Sequence, residues 1–320
     1  VSSFCRTHPR PGSGCRRSLG YLSDARVLAL NSYENRVYQV GIEGEPLIAK
    51  FYRPQRWSDA AIRESTPSAP SWPSAMCRWW RRCSAMARPC SSTRVFVSRC
   101  FRAAAVERRS RQPRPALSPR PLLGRLHAVG SLRPFAHRES LRSQLRSRVL
   151  GTLLEGNFIP RSLLPAYESV ARDLLKRLDQ LFAENPAKAI RLHGDCHPGN
   201  LLCRDETFHM VDLDDCRMGP AIQDLWMMLA GERHERLGQI AELVDGYQEF
   251  HDFDPRELPL IEGFRSLRLM HYSAWLARRW DDPAFPQSFP WFGSERYWGE
   301  QVLMLREQIA ALNEEPLKLF

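Results

Sequence analysis

Alternating apolar and polar positions mark three short segments near the start of the chain. The runs ARVLAL, RVYQVG and PLIAKFY are separated by the turn sequences NSYEN and EGEP. Short runs rich in Val, Leu, Ile and Tyr between turn residues are typical of antiparallel strands. The next segment, SDAAIRE, predicts a helix with Ser58 at its N-cap and Asp59 in its first turn.

A long apolar stripe at helical spacing follows in the second half of the chain. The segment LLPAYESVARDLLKRLDQLFAEN predicts a helix that ends at Asn185, before Pro186. Next, AIRLHGDCHPGNLL predicts a strand that enters a polar loop, and CRDETFHMVDLDD predicts a hairpin that ends in acidic residues. Helices are predicted from GPAIQDLWMMLAG onward. The buried face of the long helix is predicted to carry Tyr167, Val170, Ala171, Leu174, Leu178 and Leu181.

The periodicity stops between residues 65 and 121. This stretch contains eight prolines, and a regular pattern returns only at LLGRLHAVG, which begins at Leu122. We therefore divide the chain into a small N-terminal lobe at 18–121 and a helical C-terminal lobe at 122–320. The anomalous part, 65–121, is expected to be disordered, which would leave the small lobe incomplete. Residues 1–17 form a separate N-terminal segment of unreliable sequence.

Positive charge is concentrated in the same two segments. The net charge is +10, yet 65–121 carries twelve Arg, no Lys and one acidic residue, and 1–17 carries four Arg and no acidic residue. The segments hold +11 and +4, which leaves −5 on the remaining residues. They also hold six of the nine cysteines. Codons of a GC-rich gene read in a wrong frame yield Arg, Ala, Pro, Ser, Cys and Trp and almost no Lys, so we hypothesise a frameshifted segment at 65–121.

Other interpretations of this segment stay open. Its arginines, with Trp79 and Trp80, could contact phosphates and stack on bases, but no nucleic-acid-binding motif accompanies them, so no nucleic-acid partner is expected. A disordered linker would be poor in Trp and Cys. A metal site is disfavoured because the cysteines lack the close pairing of a zinc knuckle. These cysteines are Cys77, Cys83, Cys90 and Cys100.

No apolar run reaches the roughly 18 to 20 residues that a membrane span needs. The N-terminal segment also lacks the apolar stretch of a signal peptide. We therefore expect a cytoplasmic protein without a membrane partner, and a monomer.

Candidate chemistry lies in one polar loop and on two strands. HGDCHPGN places Asp195 and Asn200 in the D-x-x-x-x-N spacing of the protein-kinase catalytic loop, and Asp212 ends a strand shortly afterwards. Lys50 lies on the third predicted strand. Phosphoryl transfer needs a cation for the phosphates, oxygen ligands for Mg²⁺ and a carboxylate that takes the proton of the nucleophile. These four residues supply all three.

The ordered set of motifs resembles the aminoglycoside phosphotransferase and choline kinase group, through HGD-x-x-x-x-N, VDLDD and GPAIQDLWMML. The stretches LNSYENRVYQ, KFYRP-R-W and AWLARRWDDPAFPQSFPW narrow the resemblance to the bacterial stress response kinase A family of serine/threonine protein kinases. It covers about 18–64 and 122–320. It implies an α+β, two-lobed protein-kinase-like fold, with a β-rich N-lobe that binds ATP and a larger helical C-lobe.

The resemblance also implies catalytic and metal-binding roles. Asp195 would accept the proton of the substrate hydroxyl, and Asn200 and Asp212 would hold Mg²⁺, with Asp212 at the position of the DFG aspartate of protein kinases, where it is counted with Asp195 as catalytic. The neighbouring acids, Asp214, Asp215 and Asp224, are expected to play structural or supporting roles.

Three further residues are predicted to bind ATP. Lys50 would contact the α and β phosphates, and Ser32 would approach the phosphates from the turn that replaces a Gly-rich loop. Glu64 is the candidate helix carboxylate that pairs with Lys50.

The resemblance implies ATP- and Mg²⁺-dependent phosphorylation of Ser and Thr hydroxyls of proteins in a bacterial stress response. The first alternative is a small-molecule kinase that acts on an aminoglycoside, choline or homoserine, because these kinases share the same loop. The second alternative is an Arg-rich nucleic-acid binder without enzymatic activity. In the family, the span at 65–121 supplies two strands and the hinge that grips adenine, so low activity or poor folding is predicted for the chain as written.

Overall fold

The computed structural model describes residues 23–30, 33–42, 47–53, 56–65, 84–87, 95–98, 120–141, 149–204 and 207–319. The chain divides into two compact units, of which the first comprises 1–117 and 202–214 and the second comprises 118–201 and 215–320. The sequence-based division placed all of 122–320 in one lobe, whereas the structure groups 202–214 with the first unit. Within the first unit, Asp212 and Asp214 bind Lys50.

The first unit contains an antiparallel sheet. The three strands predicted near the N-terminus belong to this sheet and are confirmed. The predicted helix is α1 (Asp59–Ser65), and the backbone N–H of Ala61 donates to Ser58 Oγ at 3.1 Å, which confirms the N-cap. The strands are β1 (Ser23–Leu30), β2 (Arg36–Ile42), β3 (Leu47–Phe51), β4 (Ser84–Ala87) and β5 (Val95–Ser98), in the order β1-β2-β3-β5-β4.

Two of these strands, β4 and β5, lie where the sequence shows no strand pattern. In the sheet, β5 pairs with β3, with Phe96 opposite Lys50, and β4 pairs with β5. The residues VFVS of β5 are mostly β-branched and aromatic, which favours a strand, but four residues are too few to establish a period of two. The sheet therefore continues past β3 into the segment that periodicity leaves unassigned.

Helices dominate the second unit. The long predicted helix is confirmed, with five of its six predicted face residues buried and Leu181 half-buried, and it ends at Asn185. The helices are α2 (Arg120–Gly130), α3 (Val149–Glu155), α4 (Leu164–Glu184), α5 (Ile222–Trp226), α6 (Arg233–Gln248), α7 (Leu260–Ala277), α8 (Ala284–Ser288) and α9 (Glu295–Ala311). Helix α2 packs against α6, α4 against α9, and α3 against α7.

Short strands precede and follow the polar loop at 193–200 along the chain. Strand β6 (Ile190–Leu192), buried along its whole length, precedes the loop and pairs with β9 (Arg217–Gly219). The predicted hairpin is formed by β7 (Leu201–Arg204) and β8 (Thr207–Met210), which pair with each other. Among the helices that the structure describes, none is both long enough and apolar enough to span a membrane.

Candidate active site

Lys50 lies between two carboxylates of the first unit. Its Nζ lies 2.6 Å from Asp214 Oδ2 and 2.8 Å from Asp212 Oδ1. Lys50 projects from β3, whereas the two acids follow β8 and lie at the start of a short helical turn. Burial acts to lower the pKa of Lys50, but Asp214 and Asp212 outweigh it and raise the pKa above its ordinary value. Lys50 is therefore a fixed cation.

The two carboxylates differ in exposure. The Asp214 side chain is 7% exposed and accepts a hydrogen bond from Asn35 Nδ2, while Asn35 Oδ1 accepts one from the backbone N–H of Arg53. The Asp212 side chain is 49% exposed. Its backbone has φ +62°, in the left-handed region that few residues other than Gly, Asn and Asp adopt. Asp214 therefore holds Lys50 in place, and the Asp212 carboxylate remains accessible to a bound cation.

The other predicted ATP-binding residues stay predictions. Ser32 lies outside the described residues, and Glu64 lies on α1. The carboxylates that hold Lys50 in the structure are those of Asp212 and Asp214. The position of Lys50 on the third strand is confirmed.

In the second unit, the polar loop requires a glycine directly before Asp195. Gly194 has φ +84°, and a Cβ at this position would collide with the backbone carbonyl of Asp215. Only glycine adopts this backbone conformation without strain and also leaves room for the carbonyl. The Gly in HGD therefore fixes the path of the loop.

A buried carboxylate on α5 holds the start of the loop. Asp224 is fully buried, and it accepts hydrogen bonds from the backbone N–H groups of His193, at 2.7 Å, and Gly194, at 2.9 Å. Its Oδ2 also lies 3.0 Å from His127 Nε2, and His127 Nδ1 lies 3.0 Å from the Tyr247 hydroxyl. A carboxylate only accepts, so Nε2 carries a proton in this contact. In a neutral ring, Nδ1 then accepts a hydrogen bond from the Tyr247 hydroxyl. Burial raises the pKa of Tyr247, so this hydroxyl keeps its proton.

The side chain of Asp195 is held from two sides. Arg268 Nη1, from α7, donates to Asp195 Oδ1 at 2.8 Å, and His197 Nε2 lies 3.5 Å from Oδ2. His197 Nδ1 accepts from the backbone N–H of Gly199, which places the proton of a neutral ring on Nε2, facing Asp195. Burial acts to raise the pKa of Asp195, but His197 and Arg268 outweigh it and lower the pKa to about 2. Asp195 is therefore an ionised acceptor at neutral pH.

Asn200 closes the loop onto Asp195. Its Nδ2 donates to the backbone carbonyl of Asp195 at 2.9 Å, so Oδ1 is the side-chain atom left to bind a cation. Within the described part of the chain, no cluster of three or more His, Cys, Asp or Glu side chains could hold a metal.

Cys196 and Cys216 are both buried. Burial raises the pKa of the Cys196 thiol well above its ordinary value, so it is not a reactive thiolate. Cys216 is also buried and free. The four cysteines considered for a metal site lie outside the described residues.

Sequence reasoning missed three residues of the site. Arg268 lies 73 positions from its partner Asp195, and Asn35 lies 179 positions from its partner Asp214. His127 reaches Asp224 across 97 positions. A single sequence contains no signal for pairs so far apart, although Asn35 could have been noticed as the polar residue that ends the turn NSYEN.

Comparisons with known proteins identify a family of kinases that this chain resembles. Residues 121–261 match a model of a phosphotransferase enzyme family. The serine/threonine protein kinase RdoA of Salmonella typhimurium is 38% identical over an alignment of 338 positions, which covers 99% of this chain and 97% of the relative. Stress response kinase A of Escherichia coli K12 is 37% identical over 329 positions, with the same coverage.

Solved structures support the same fold. An amicoumacin kinase in complex with AMP-PNP, Ca²⁺ and amicoumacin has a TM-score of 0.69 and 16% identity, and the match covers 100% of this chain and 98% of that one. A microcompartment-associated aminopropanol kinase has a TM-score of 0.64 and 18% identity, with 95% and 98% covered. The expectation of an α+β protein-kinase-like fold is confirmed. Because it is 37% to 38% identical to RdoA and stress response kinase A over nearly its full length, the chain belongs to the stress response kinase A family of phosphotransferases.

Proposed function

We propose that this kinase transfers the γ-phosphoryl group of ATP to Ser and Thr hydroxyls of proteins, in a bacterial stress response. The observation that carries the proposal is the 38% identity, over 99% of this chain, to a relative named as a serine/threonine protein kinase. The structural neighbours have names of small-molecule kinases, but at 16% to 18% identity they support the fold and not the acceptor.

Asp195 is the general base in this proposal. Its carboxylate is ionised and lies in a loop that Asp224 anchors. The acceptor oxygen bonds to the γ-phosphorus, the bond from that phosphorus to the bridging oxygen of ADP breaks, and Asp195 takes the hydroxyl proton. Positioning and electrostatics supply most of the catalysis in such transfers.

Lys50, Asn200 and Asp212 bind the nucleotide and its metal. The residues present fit Mg²⁺, because Asp212 has an accessible carboxylate and Asn200 has an amide oxygen left by its hydrogen bond to Asp195. Bound Mg²⁺ would neutralise charge on the β and γ phosphates. Lys50, held as a cation, pairs with the phosphates, and Ser32 and Glu64 complete the proposed nucleotide-binding set.

The test is phosphoryl transfer by the full chain with Mg²⁺ and radiolabelled ATP. Asp195→Asn is expected to reduce autophosphorylation and transfer to a Ser protein substrate by about 100- to 10,000-fold, because the base is lost. Asp245→Asn, an equal chemical change at an exposed position of α6, is the control. Undiminished transfer by Asp195→Asn would contradict the assignment. Phosphorylation of choline, homoserine or an aminoglycoside, with none of any protein, would contradict the proposed acceptor.

A further inference from the structure

The face of α7 next to Asp195 is rich in cationic and aromatic residues. Between residues 263 and 280 the chain has four Arg and no acidic residue, and acids resume only at Asp281. Residues three, four and seven apart lie on one helix face, so Arg268, Tyr272 and Trp275 form a single stripe, and Arg279 follows just beyond the end of α7. Arg268 is the member of this stripe that binds the proposed base.

The two aromatic residues of the stripe stack on each other, and one of them lies next to a cation. The rings of Tyr272 and Trp275 stack at 5.9 Å with an angle of 17°, and the Arg279 guanidinium lies 5.1 Å from the Trp275 ring centre. The Tyr272 side chain is exposed. A cationic acceptor such as choline or an aminoglycoside would bring a further positive charge to this face, which is unfavourable.

The histidine of the same helix lies near several charged groups. Burial is the main cause that lowers the pKa of His271 to about 4, and Arg278, Arg217 and Arg279 act in the same direction, against Asp215. Three arginines and one acid therefore act on a point one turn along α7 from Arg268.

The contact of Arg268 with Asp195 has a consequence for the acceptor. Arg268 Nη1 donates to Oδ1 of the proposed base, so Arg268 competes with the substrate hydroxyl for that carboxylate oxygen. Arg268 is 47% exposed, so a second carboxylate from solvent can reach its guanidinium. A guanidinium binds a carboxylate through two parallel N–H groups, which makes it a better partner for an acid than for a hydroxyl.

We propose that the acceptor is an acidic polypeptide segment, in which a Glu or Asp near the phosphorylated Ser or Thr binds Arg268 and releases Asp195 Oδ1 for the hydroxyl. This inference rests on the proposed function and specifies its substrate class. Arg268 is then a specificity-determining residue. Arg278 and Arg279 follow the last residue of α7, about 15 Å from Arg268 at the rise of a helix, which is the length of about four or five extended residues, so a second acid at that spacing strengthens binding.

The test compares three labelled decapeptides, each with one central Ser, that carry Glu, Gln or Lys at the flanking positions. Fluorescence anisotropy with the full chain measures binding, and radiolabelled ATP measures transfer. The Glu peptide is expected to bind about 10-fold more tightly than the Gln peptide, and the Lys peptide more weakly than both. Arg268→Gln is expected to remove the difference between Glu and Gln, and Arg268→Lys to retain part of it.

Arg296→Gln on α9 is the matched control, because it removes one exposed Arg that pairs with Glu300 within its own helix. It is expected to keep the full preference for Glu. Equal binding of the Glu and Gln peptides, or a preference for Glu that survives Arg268→Gln, would overturn the inference. If the Gln peptide is phosphorylated as well as the Glu peptide, the inference fails while the proposed protein kinase stands. If choline or an aminoglycoside is phosphorylated and none of the peptides is, both fail.

Discussion

Asp214 and Asp224 are both buried carboxylates next to proposed catalytic groups, but their partners differ. Asp214 binds the charged Lys50 and the Asn35 side chain, whereas Asp224 binds two backbone N–H groups and His127. A carboxylate that accepts hydrogen bonds from backbone N–H groups fixes the shape of a loop. A carboxylate that faces a lysine holds the charged ammonium group in position. The first unit thus uses its buried acid to place a cation, and the second uses its own to build the catalytic loop.

The largest effect is expected from Asp224→Ala. The substitution leaves the N–H groups of His193 and Gly194 buried without an acceptor, which should lower the free energy of unfolding by about 4 kcal/mol. Urea unfolding followed by circular dichroism measures the change. Asp245→Ala, at an exposed position on α6, should change it by less than about 0.5 kcal/mol. Equal stability of the two variants would show that Asp224 does not carry the loop.

A smaller loss is expected from Asp214→Asn, because Lys50 then keeps only Asp212 as a charged partner. We expect the free energy of unfolding to fall by about 3 kcal/mol, and the Michaelis constant for ATP to rise as Lys50 moves. Asp212→Asn is the control for stability alone, since Asp214 still holds Lys50 and Asp212 is half-exposed. If Asp212→Asn lowered stability more than Asp214→Asn, the roles assigned to these two acids would be reversed.

Glu257 provides a pH-dependent test of the helix that carries Asp224. It is buried and accepts from the backbone N–H of Ile222 at the start of α5. Burial raises its pKa to about 7, against the backbone hydrogen bonds, which act to lower it. A pKa that is higher in the folded state favours folding below the unfolded value of about 4.5 and loses that contribution as pH rises through 7.

We therefore expect the stability of the wild type relative to Glu257→Gln to fall by about 2 kcal/mol between pH 5 and pH 8. Urea unfolding of both proteins at the two pH values measures it. A difference that does not depend on pH would mean that Glu257 titrates normally.

The smallest effect is expected from Tyr247→Phe. It removes the hydroxyl that donates to His127 Nδ1 and keeps the ring, so the expected loss is about 1 kcal/mol. Urea unfolding measures this change too. A loss as large as that of Asp224→Ala would place the centre of the network at Tyr247 and not at the carboxylate.

Local signals account for what the sequence predicted. The strand with Lys50, the cap at Ser58 and the end of α4 at Asn185 depend on neighbouring residues, and each is confirmed. The D-x-x-x-x-N spacing of Asp195 and Asn200 is equally local, and the structure joins the two through a hydrogen bond.

What the sequence could not predict depends on distant pairs or on short segments. No local pattern links Arg268 to Asp195, because the two meet only after α7 packs beside the loop. Strands β4 and β5 were missed because each has four residues, too few for a period of two. The frameshift at 65–121 stays a hypothesis, and an alternate frame of the gene that encodes alternating apolar strands with Glu and Asp would bear it out.

The left-handed backbone at Asp212 decides which allele suits a genetic experiment. A chromosomal allele that abolishes phosphoryl transfer must leave the amount of folded protein unchanged, or its phenotype reports degradation. Alanine at φ +62° adds backbone strain to the loss of the carboxylate, whereas asparagine adopts this conformation readily. If Asp212 is the proposed Mg²⁺ ligand, Asp212→Asn is therefore the allele that removes the chemistry and keeps the folded enzyme.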